Sequence, residues 1–270
     1  MKIAVVAFSA MVALAQQPEP SLFEAVLYNQ AKQVEALVAR GAPVEGTDDA
    51  GMTPLMVAAT TGNATIAGIL IKAGANVNAT DTDGATPLMH AASSNRVEVI
   101  RLLLVSGAQV NARTGGGATA LVAASYGGYA ESVRPLLAGK ADPNIKDNQG
   151  RSALMAASSN GDAAVVDLLL NGGADVTAAD GAGGTAMMYA AAAGHERVIA
   201  ALQKRGSKAS DAELRVASLG CHTAAVNVLV AAGVDVNGSR DGSTPLLAAA
   251  SADCPETVQF LLEHGASVDE

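Results

Sequence analysis

The stretch Asp83-Gly84-Ala85-Thr86-Pro87-Leu88 is one copy of a motif that returns along the chain every 33 residues. A hydroxyl residue marks the helix start in each copy: Thr53, Thr86, Thr119, Ser152 and Thr185. A second series of residue pairs, most of them Gly-Ala, keeps the same interval. The first residues of these pairs are Gly41, Gly74, Gly107, Lys140, Gly173 and Gly206. Its next two members, Gly233 and Gly265, follow after 27 and 32 residues. Two independent series with one interval predict an array of repeated structural units.

Each unit carries the signals of two helices joined by turns. The Thr53 hydroxyl can cap the free N–H groups of a helix start, and Pro54 has its φ preset for the first helical position. A second helix carries Ile66 and Leu70, and Gly74 follows where a left-handed residue would end it. The next residues are rich in Asn, Asp, Thr and Gly, a composition that predicts a hairpin-like turn leading into the following unit.

The blocks Asp83 to Leu88 and Gly107-Ala108-Gln109-Val110-Asn111-Ala112 resemble ankyrin repeats. The resemblance covers about Ser21 to Glu270. It implies an all-α solenoid of about eight helix-turn-helix repeats with hairpin-like turns, in which each repeat buries its apolar faces only against its neighbours. One ankyrin-repeat domain over residues 21–270 is therefore expected in place of the two domains that the length suggests.

One departure from the family pattern recurs along the chain. The histidine that usually follows Thr-Pro-Leu is replaced by apolar residues at Met56, Met89, Val122, Met155, Met188 and Leu247. The hydrogen bond of that histidine is then absent, and we expect apolar packing to substitute for it.

Two repeats are expected to be irregular. The first, Leu22 to Glu45, starts at its first helix and acts as the N-terminal cap. The seventh, about residues 210–237, is six residues short, and the missing portion is its turn. Ser210-Asp211-Ala212-Glu213 has the pattern of a capping box, so the first helix of this repeat is expected to start there directly.

The N-terminal residues have the pattern of an export signal. Met1-Lys2 gives a basic start, Ile3 to Ala15 is apolar apart from Ser9, and Ala13-Leu14-Ala15 ends the run. This pattern predicts a signal peptide over residues 1–15 and a short linker over residues 16–20. The protein is then periplasmic or secreted, with no membrane insertion after signal cleavage. The resemblance favours a bacterial periplasm, since most eukaryotic ankyrin-repeat proteins are intracellular.

Composition excludes several classes of protein. Half of the residues are apolar, which is too many for a disordered chain. A formal net charge of −9 argues against a nucleic-acid partner, because binding to phosphates requires basic clusters.

No arrangement of residues indicates catalysis, and we expect no enzymatic activity and no cofactor. His90, His195, His222 and His264 fall in four different repeats, so a structural role is expected for them. The glycine-rich stretch of residues 181–186 matches a dinucleotide-binding fingerprint but lacks the strand that must precede it. Cys221, His222 and Cys254 offer three soft ligands, whereas a closed zinc site needs four.

A disulfide between Cys221 and Cys254 is the alternative for the two cysteines, since export places them in an oxidising compartment. Both lie by register in turns between paired helices of adjacent repeats, with Cys254 one position later. Neighbouring helices pack ~8–10 Å apart, whereas a disulfide needs Cα atoms within ~7 Å. The offset of one position either closes that gap or widens it, and the sequence leaves both outcomes open.

The resemblance implies a monomeric protein-binding scaffold whose turn tips and first helices form a concave face. The residues that fall on this face by register, and are expected to contact a protein partner, are Asp49, Met52, Asp83, Arg113, Tyr126, Lys146, Asn148, Gln149, Arg151, Ser159 and Asn160. An alternative is a structural or stabilising component of the cell envelope that contacts partners through the ends of the array. An enzyme is the third and weakest hypothesis.

A basic, aromatic-centred patch is expected in repeats four and five. Tyr126 lies there with Arg113, Lys146 and Arg151 nearby, although the protein as a whole is acidic. Tyrosine and arginine often dominate the binding energy of interfaces, so we expect an acidic partner surface at this patch. The alternative is that Arg113 and Lys146 only pair with turn aspartates such as Asp147.

Overall fold

The computed structural model describes residues 21–239 and 242–268. These residues form sixteen helices in eight successive pairs and no β-strand. The helices are α1 Leu22–Leu27, α2 Ala31–Ala39, α3 Pro54–Thr61, α4 Ala64–Lys72, α5 Pro87–Ser93, α6 Val97–Val105, α7 Ala120–Tyr126, α8 Ala130–Ala138, α9 Ala153–Asn160, α10 Ala163–Asn171, α11 Ala186–Ala192, α12 Glu196–Lys204, α13 Asp211–Leu219, α14 Thr223–Ala231, α15 Pro245–Ser251 and α16 Pro255–Glu263.

Each helix packs on its pair mate and on the corresponding helix of the next repeat. The residue two positions after the N-cap hydroxyl is buried in repeats two to six, at Leu55, Leu88, Leu121, Leu154 and Met187. Buried alanines later in the same helices let neighbouring helices approach closely. The all-α solenoid of helix-turn-helix repeats is thereby confirmed.

The N-caps follow the repeated hydroxyl residues. The Thr53 hydroxyl accepts a hydrogen bond from the Met56 backbone N–H at 3.3 Å, and the other repeats copy this contact. The methionine side chain reaches back, so that Met56 Sδ accepts from the Thr53 N–H, also at 3.3 Å. Met155 makes the same contact with Ser152. Apolar packing is therefore not the whole replacement for the family histidine, because the thioether also supplies a weak acceptor.

Aspartate side chains hold the hairpin-like turns. Asp81 Oδ1 accepts from the backbone N–H of Asp83 at 3.0 Å and of Ala85 at 2.8 Å. Asp48, Asp147 and Asp180 repeat this pattern at the same position of their turns, and Thr114 takes that position in the turn between Asp81 and Asp147. Each of these turns also contains a left-handed glycine, for example Gly84 with φ 78°. The side chains thus satisfy backbone donors that a short turn would otherwise leave unpaired.

The cysteines lie where successive repeats come into close contact. The residue directly before the N-cap of each second helix is left-handed, and the side chain of that N-cap reaches back over the preceding repeat. His195, for example, donates from Nε2 to the Ser159 carbonyl at 3.2 Å. A Cβ at Gly161, the left-handed residue of that junction, would lie 2.5 Å from the His195 ring.

Cys221 and Cys254 occupy these two positions at the junction of repeats seven and eight. Cys221 is left-handed with φ 57°, and Cys254 is the N-cap of α16. Their Cα atoms lie 5.2 Å apart and the structure joins their sulfur atoms. The one-position offset between the two cysteines therefore closes the gap between helices rather than widening it.

The seventh repeat begins without a turn. Six residues connect α12 to α13, whereas fourteen connect α4 to α5. The capping box is present, since Ser210 accepts from the Ala212 N–H at 3.2 Å and Glu213 Oε2 accepts from the Ser210 N–H at 2.9 Å. The proposed signal peptide and linker, residues 1–20, lie outside the described residues. Among the described helices, none combines the length and apolar character needed to cross a membrane.

Candidate protein-binding groove

A cavity of about 270 Å³ opens on the first helices of repeats four to six. We call it the central groove. Its lining comes from α7, α9 and α11 and from the turns before them: Ala118, Val122, Ala123, Tyr126, Asp147, Arg151, Ser152, Met155, Ala156, Ser159 and Tyr189.

Side-chain size explains why the cavity lies here. Ala123 and Ala156 occupy a register position at which the repeats on either side have His90 and Tyr189. Two successive alanines leave the space that larger side chains fill elsewhere. Tyr126, on the next helical turn, is 70% exposed, which is unusual for a tyrosine with apolar neighbours. The central groove is therefore a mostly apolar depression with an exposed aromatic ring at its edge.

An arginine-aspartate pair lies on the turn beside the central groove. Arg151 donates from Nε and Nη2 to Asp147 Oδ2, both at 2.9 Å. Burial alone would raise the pKa of Asp147. Hydrogen bonds from the Arg151 backbone, the Arg151 guanidinium and the Gln149 N–H oppose this effect, as does the Arg151 charge. The pKa of Asp147 is therefore below its ordinary value. The pair leaves half of the Arg151 side chain exposed toward solvent.

A second polar pair lies at the repeat-six end of the central groove. The Tyr189 hydroxyl donates to Asp180 Oδ2 at 2.7 Å. This hydrogen bond lowers the pKa of Asp180, and backbone N–H groups of the turn lower it further. The same bond, followed by burial, raises the pKa of Tyr189. Tyr189 is thus fixed by the turn of its own repeat.

Arg113 and Lys146 connect turns through backbone carbonyls. Arg113 donates from Nη2 to the Lys146 carbonyl at 2.9 Å, and Lys146 donates from Nζ to the Ala179 carbonyl at 2.8 Å. The alternative of pairing with Asp147 is wrong for both residues, because Asp147 pairs with Arg151 instead. Carbonyl groups carry no formal charge, so these bonds do not neutralise the two cations, and both side chains remain exposed. The Lys146 charge also contributes to the lowered pKa of Asp175.

Three of the residues proposed from the sequence line the central groove, namely Tyr126, Arg151 and Ser159. The others lie outside it. Asp49, Met52 and Asp83 lie on the turns of repeats two and three, and Asn160 lies at the end of α9. Asn148 connects two turns by donating from Nδ2 to the Gly115 carbonyl at 2.9 Å, while Gln149 is exposed on the same turn.

Sequence reasoning did not assign three polar residues of the central groove to the site, namely Asp147, Ser152 and Tyr189. Tyr189 shares the register position of His90, which donates from Nε2 to Asp81 at 2.8 Å. That position was interpreted as structural. The available signal for a cavity was that this register position, His90 in repeat three and Tyr189 in repeat six, is alanine in the two repeats between them, at Ala123 and Ala156.

No group of three or more His, Cys, Asp or Glu side chains in residues 21–239 and 242–268 is arranged to hold a metal ion. The fold and the site together define a helical-repeat solenoid with an apolar groove on its first helices. The family model for ankyrin repeats in three copies matches residues 22–114, 120–215 and 213–270. The chain therefore belongs to the ankyrin-repeat family, whose members are generally non-enzymatic protein–protein interaction modules. A comparison with curated proteins finds none that matches the chain.

Proposed function

We propose that this protein is a non-enzymatic scaffold that binds a partner protein in the central groove. The observation that carries the proposal is the 270 Å³ cavity beside the exposed Tyr126 ring. Tyrosine gives a large contact area at low cost in side-chain entropy, and pockets beside such rings accommodate the anchor residues of interfaces.

The chemistry of the partner follows from the lining and the rim. Val122, Ala123 and Ala156 suit an apolar side chain inserted into the cavity. Arg113 and Lys146 place exposed positive charge on the neighbouring turns, where both side chains donate to carbonyl groups. The partner then presents an apolar anchor flanked by carboxylates, and its acidic groups meet the basic turn residues of repeats four and five.

We further propose that the scaffold acts in the periplasm or outside the cell. The basic, apolar and small-residue pattern of residues 1–15 supports export. The geometry at Cys221 and Cys254 is compatible with an oxidising compartment. Sequencing of the exported protein should find Gln16 at its N-terminus. Exported protein that still begins with Met1 would contradict both the cleavage and the compartment.

Site-specific photo-crosslinking in cells tests the binding surface. A crosslinking amino acid placed at Tyr126 or Ser159 should yield an adduct with one partner. The matched controls are Ser93, which has the register position of Tyr126 in repeat three, and Val105, which is 84% exposed on a second helix. Controls should give little of that adduct.

The same experiment addresses attachment through the ends of the array. Tyr28 and Val268 are 69% and 76% exposed near the two ends. Adducts formed from these positions, with none from Tyr126 and Ser159, would overturn binding in the central groove and favour the envelope-component hypothesis.

A further inference from the structure

Two series of hydrogen bonds connect neighbouring repeats, and among the described residues the junction of repeats six and seven lacks both. The first series joins the turns. Gly115 N–H donates to the Asp83 carbonyl at 2.8 Å, and Gly181 N–H donates to the Gln149 carbonyl at 3.0 Å. Equivalent bonds join the turns of repeats two to six. Among the described residues the series stops at repeat six, because repeat seven starts its helix directly at Ser210.

The second series runs along the bases of the repeats through asparagine side chains. Asn78 Oδ1 accepts from the Gln109 N–H at 2.8 Å, and its Nδ2 donates to the Gly107 carbonyl at 3.2 Å. Asn111, Asn144 and Asn237 repeat this double contact with the next repeat.

Thr177 occupies the asparagine position at the end of repeat five. Ser210, one interval later, occupies the same position at the end of repeat six and is also the first residue of repeat seven. The Thr177 hydroxyl donates to Asp175 in its own segment at 2.7 Å. The Ser210 hydroxyl is bonded to Glu213 in its own capping box, also at 2.7 Å. Neither side chain therefore makes the double contact with the following repeat. The junction of repeats six and seven thus lacks both the turn bond and the asparagine bonds, while helix packing and the bond from His222 Nε2 to the Ala192 carbonyl, at 3.0 Å, remain.

Repeats seven and eight, in contrast, are joined by a disulfide and by hydrogen bonds. The disulfide joins them, and the hydroxyls of Thr223 and Thr257 lie 2.8 Å apart across the same junction. Asn237 adds its double contact, at 2.8 Å to the Ser267 N–H and 3.1 Å to the Gly265 carbonyl. The junction that has the disulfide therefore directly follows the junction that lacks both series of hydrogen bonds.

We infer that the array opens at the junction of repeats six and seven, and that the disulfide makes repeats seven and eight open as one unit. In a linear array each junction contributes separately to stability, so a junction with fewer bonds opens first. Cys221 is exposed and Cys254 is buried, so a dithiol attacks the Cys221 sulfur most readily. The dithiol becomes a disulfide, and the two cysteines take up two electrons and two protons as free thiols. Repeat eight can then open separately from repeat seven.

Hydrogen exchange on the full-length protein, followed by mass spectrometry across low urea concentrations, tests this inference. In the oxidised protein, amides of α13 to α16 should exchange through one shared opening and faster than those of α5 to α8. After reduction with dithiothreitol, the amides of α15 and α16 should exchange about tenfold or more faster than those of α13 and α14. The Cys254→Ser variant should give the reduced pattern without any reductant.

The control variant is Asn111→Thr, which places threonine at the asparagine position of repeat three while the turn bond of Gly115 remains. It should not create a new boundary of exchange at that junction. Protection of α13 and α14 equal to that of α5 to α8 would overturn the inference, as would separate opening of repeat eight in the oxidised protein. A boundary in Asn111→Thr as strong as the one before repeat seven would also overturn it, because the missing turn bond would then not be the cause.

Discussion

Replacing Gly161 with alanine should destabilise the array more than the same change at Gly173 in the same repeat. Both glycines are left-handed, with φ of 82° and 90°. An L-residue in this conformation costs ~1–2 kcal/mol, offset by ~0.4–1 kcal/mol from the reduced freedom of the unfolded chain. At Gly173 nothing lies within 4 Å of an added Cβ, so the net loss should be ~0–1.6 kcal/mol.

At Gly161 the added Cβ would lie 2.5 Å from the His195 ring, which must move. Its hydrogen bond to the Ser159 carbonyl is then lost, which costs a further ~0.5–1.5 kcal/mol. We expect a total loss of ~0.5–3 kcal/mol in the free energy of unfolding, larger than at Gly173 by the ~0.5–1.5 kcal/mol of the lost hydrogen bond. Urea unfolding followed by circular dichroism measures both variants. Equal destabilisation would refute the close contact between the left-handed residue and the next N-cap, which also underlies the cysteine geometry.

Further predictions concern the disulfide and the polar pair of repeat six. The sequence separation of 33 between the cysteines gives ~3–4 kcal/mol of stabilisation in the chain-entropy model. The double variant Cys221→Ser, Cys254→Ser should therefore unfold at a lower urea concentration than the oxidised protein. It should unfold at the same urea concentration as the reduced protein. Identical unfolding of oxidised and reduced protein would contradict this. Because the folded pKa of Asp180 is lowered, its stabilising contribution is present at neutral pH and is lost as the pH falls below ~4. Tyr189→Phe should therefore lower the free energy of unfolding at pH 7 and reduce the further loss of stability on acidification. The control Tyr126→Phe should leave the dependence of stability on pH unchanged. Identical pH dependence of Tyr189→Phe and the unmodified protein would exclude a stabilising role of the Tyr189 hydroxyl.

The helix pattern could be predicted from the sequence because it depends on local chemistry. Thr53 before Pro54 is a cap in any context, and the constant interval then places the remaining helices. The bonding partner of a long side chain depends on the neighbouring repeat instead. The sequence shows the charge of Lys146 but not that the Ala179 carbonyl of the next turn lies within its reach.

The central groove was only partly predictable for a related reason. Tyr126 and Arg151 stand out as residue types that favour interfaces, and both line the cavity. The cavity itself results from side chains that are small, at Ala123 and Ala156, and small residues give no signal in a search for functional chemistry. Predicting the bond between the two cysteines requires the angle between adjacent repeats, which the sequence does not show. Depending on that angle, an offset of one position brings the two Cα atoms closer together or moves them apart.

The central claim, recognition of a partner in the central groove, is tested most directly by the affinity of the crosslinked partner for purified variants. Tyr126→Ala and Arg151→Ala should each cost ~1–3 kcal/mol in binding free energy, which is at least about fivefold in Kd. Ser93→Ala, at the same register position in repeat three, should bind like the unmodified protein. Thermal unfolding must show each variant folded, since Arg151 also pairs with Asp147. A folded Tyr126→Ala, Arg151→Ala double variant that binds the partner with unchanged affinity would contradict the account.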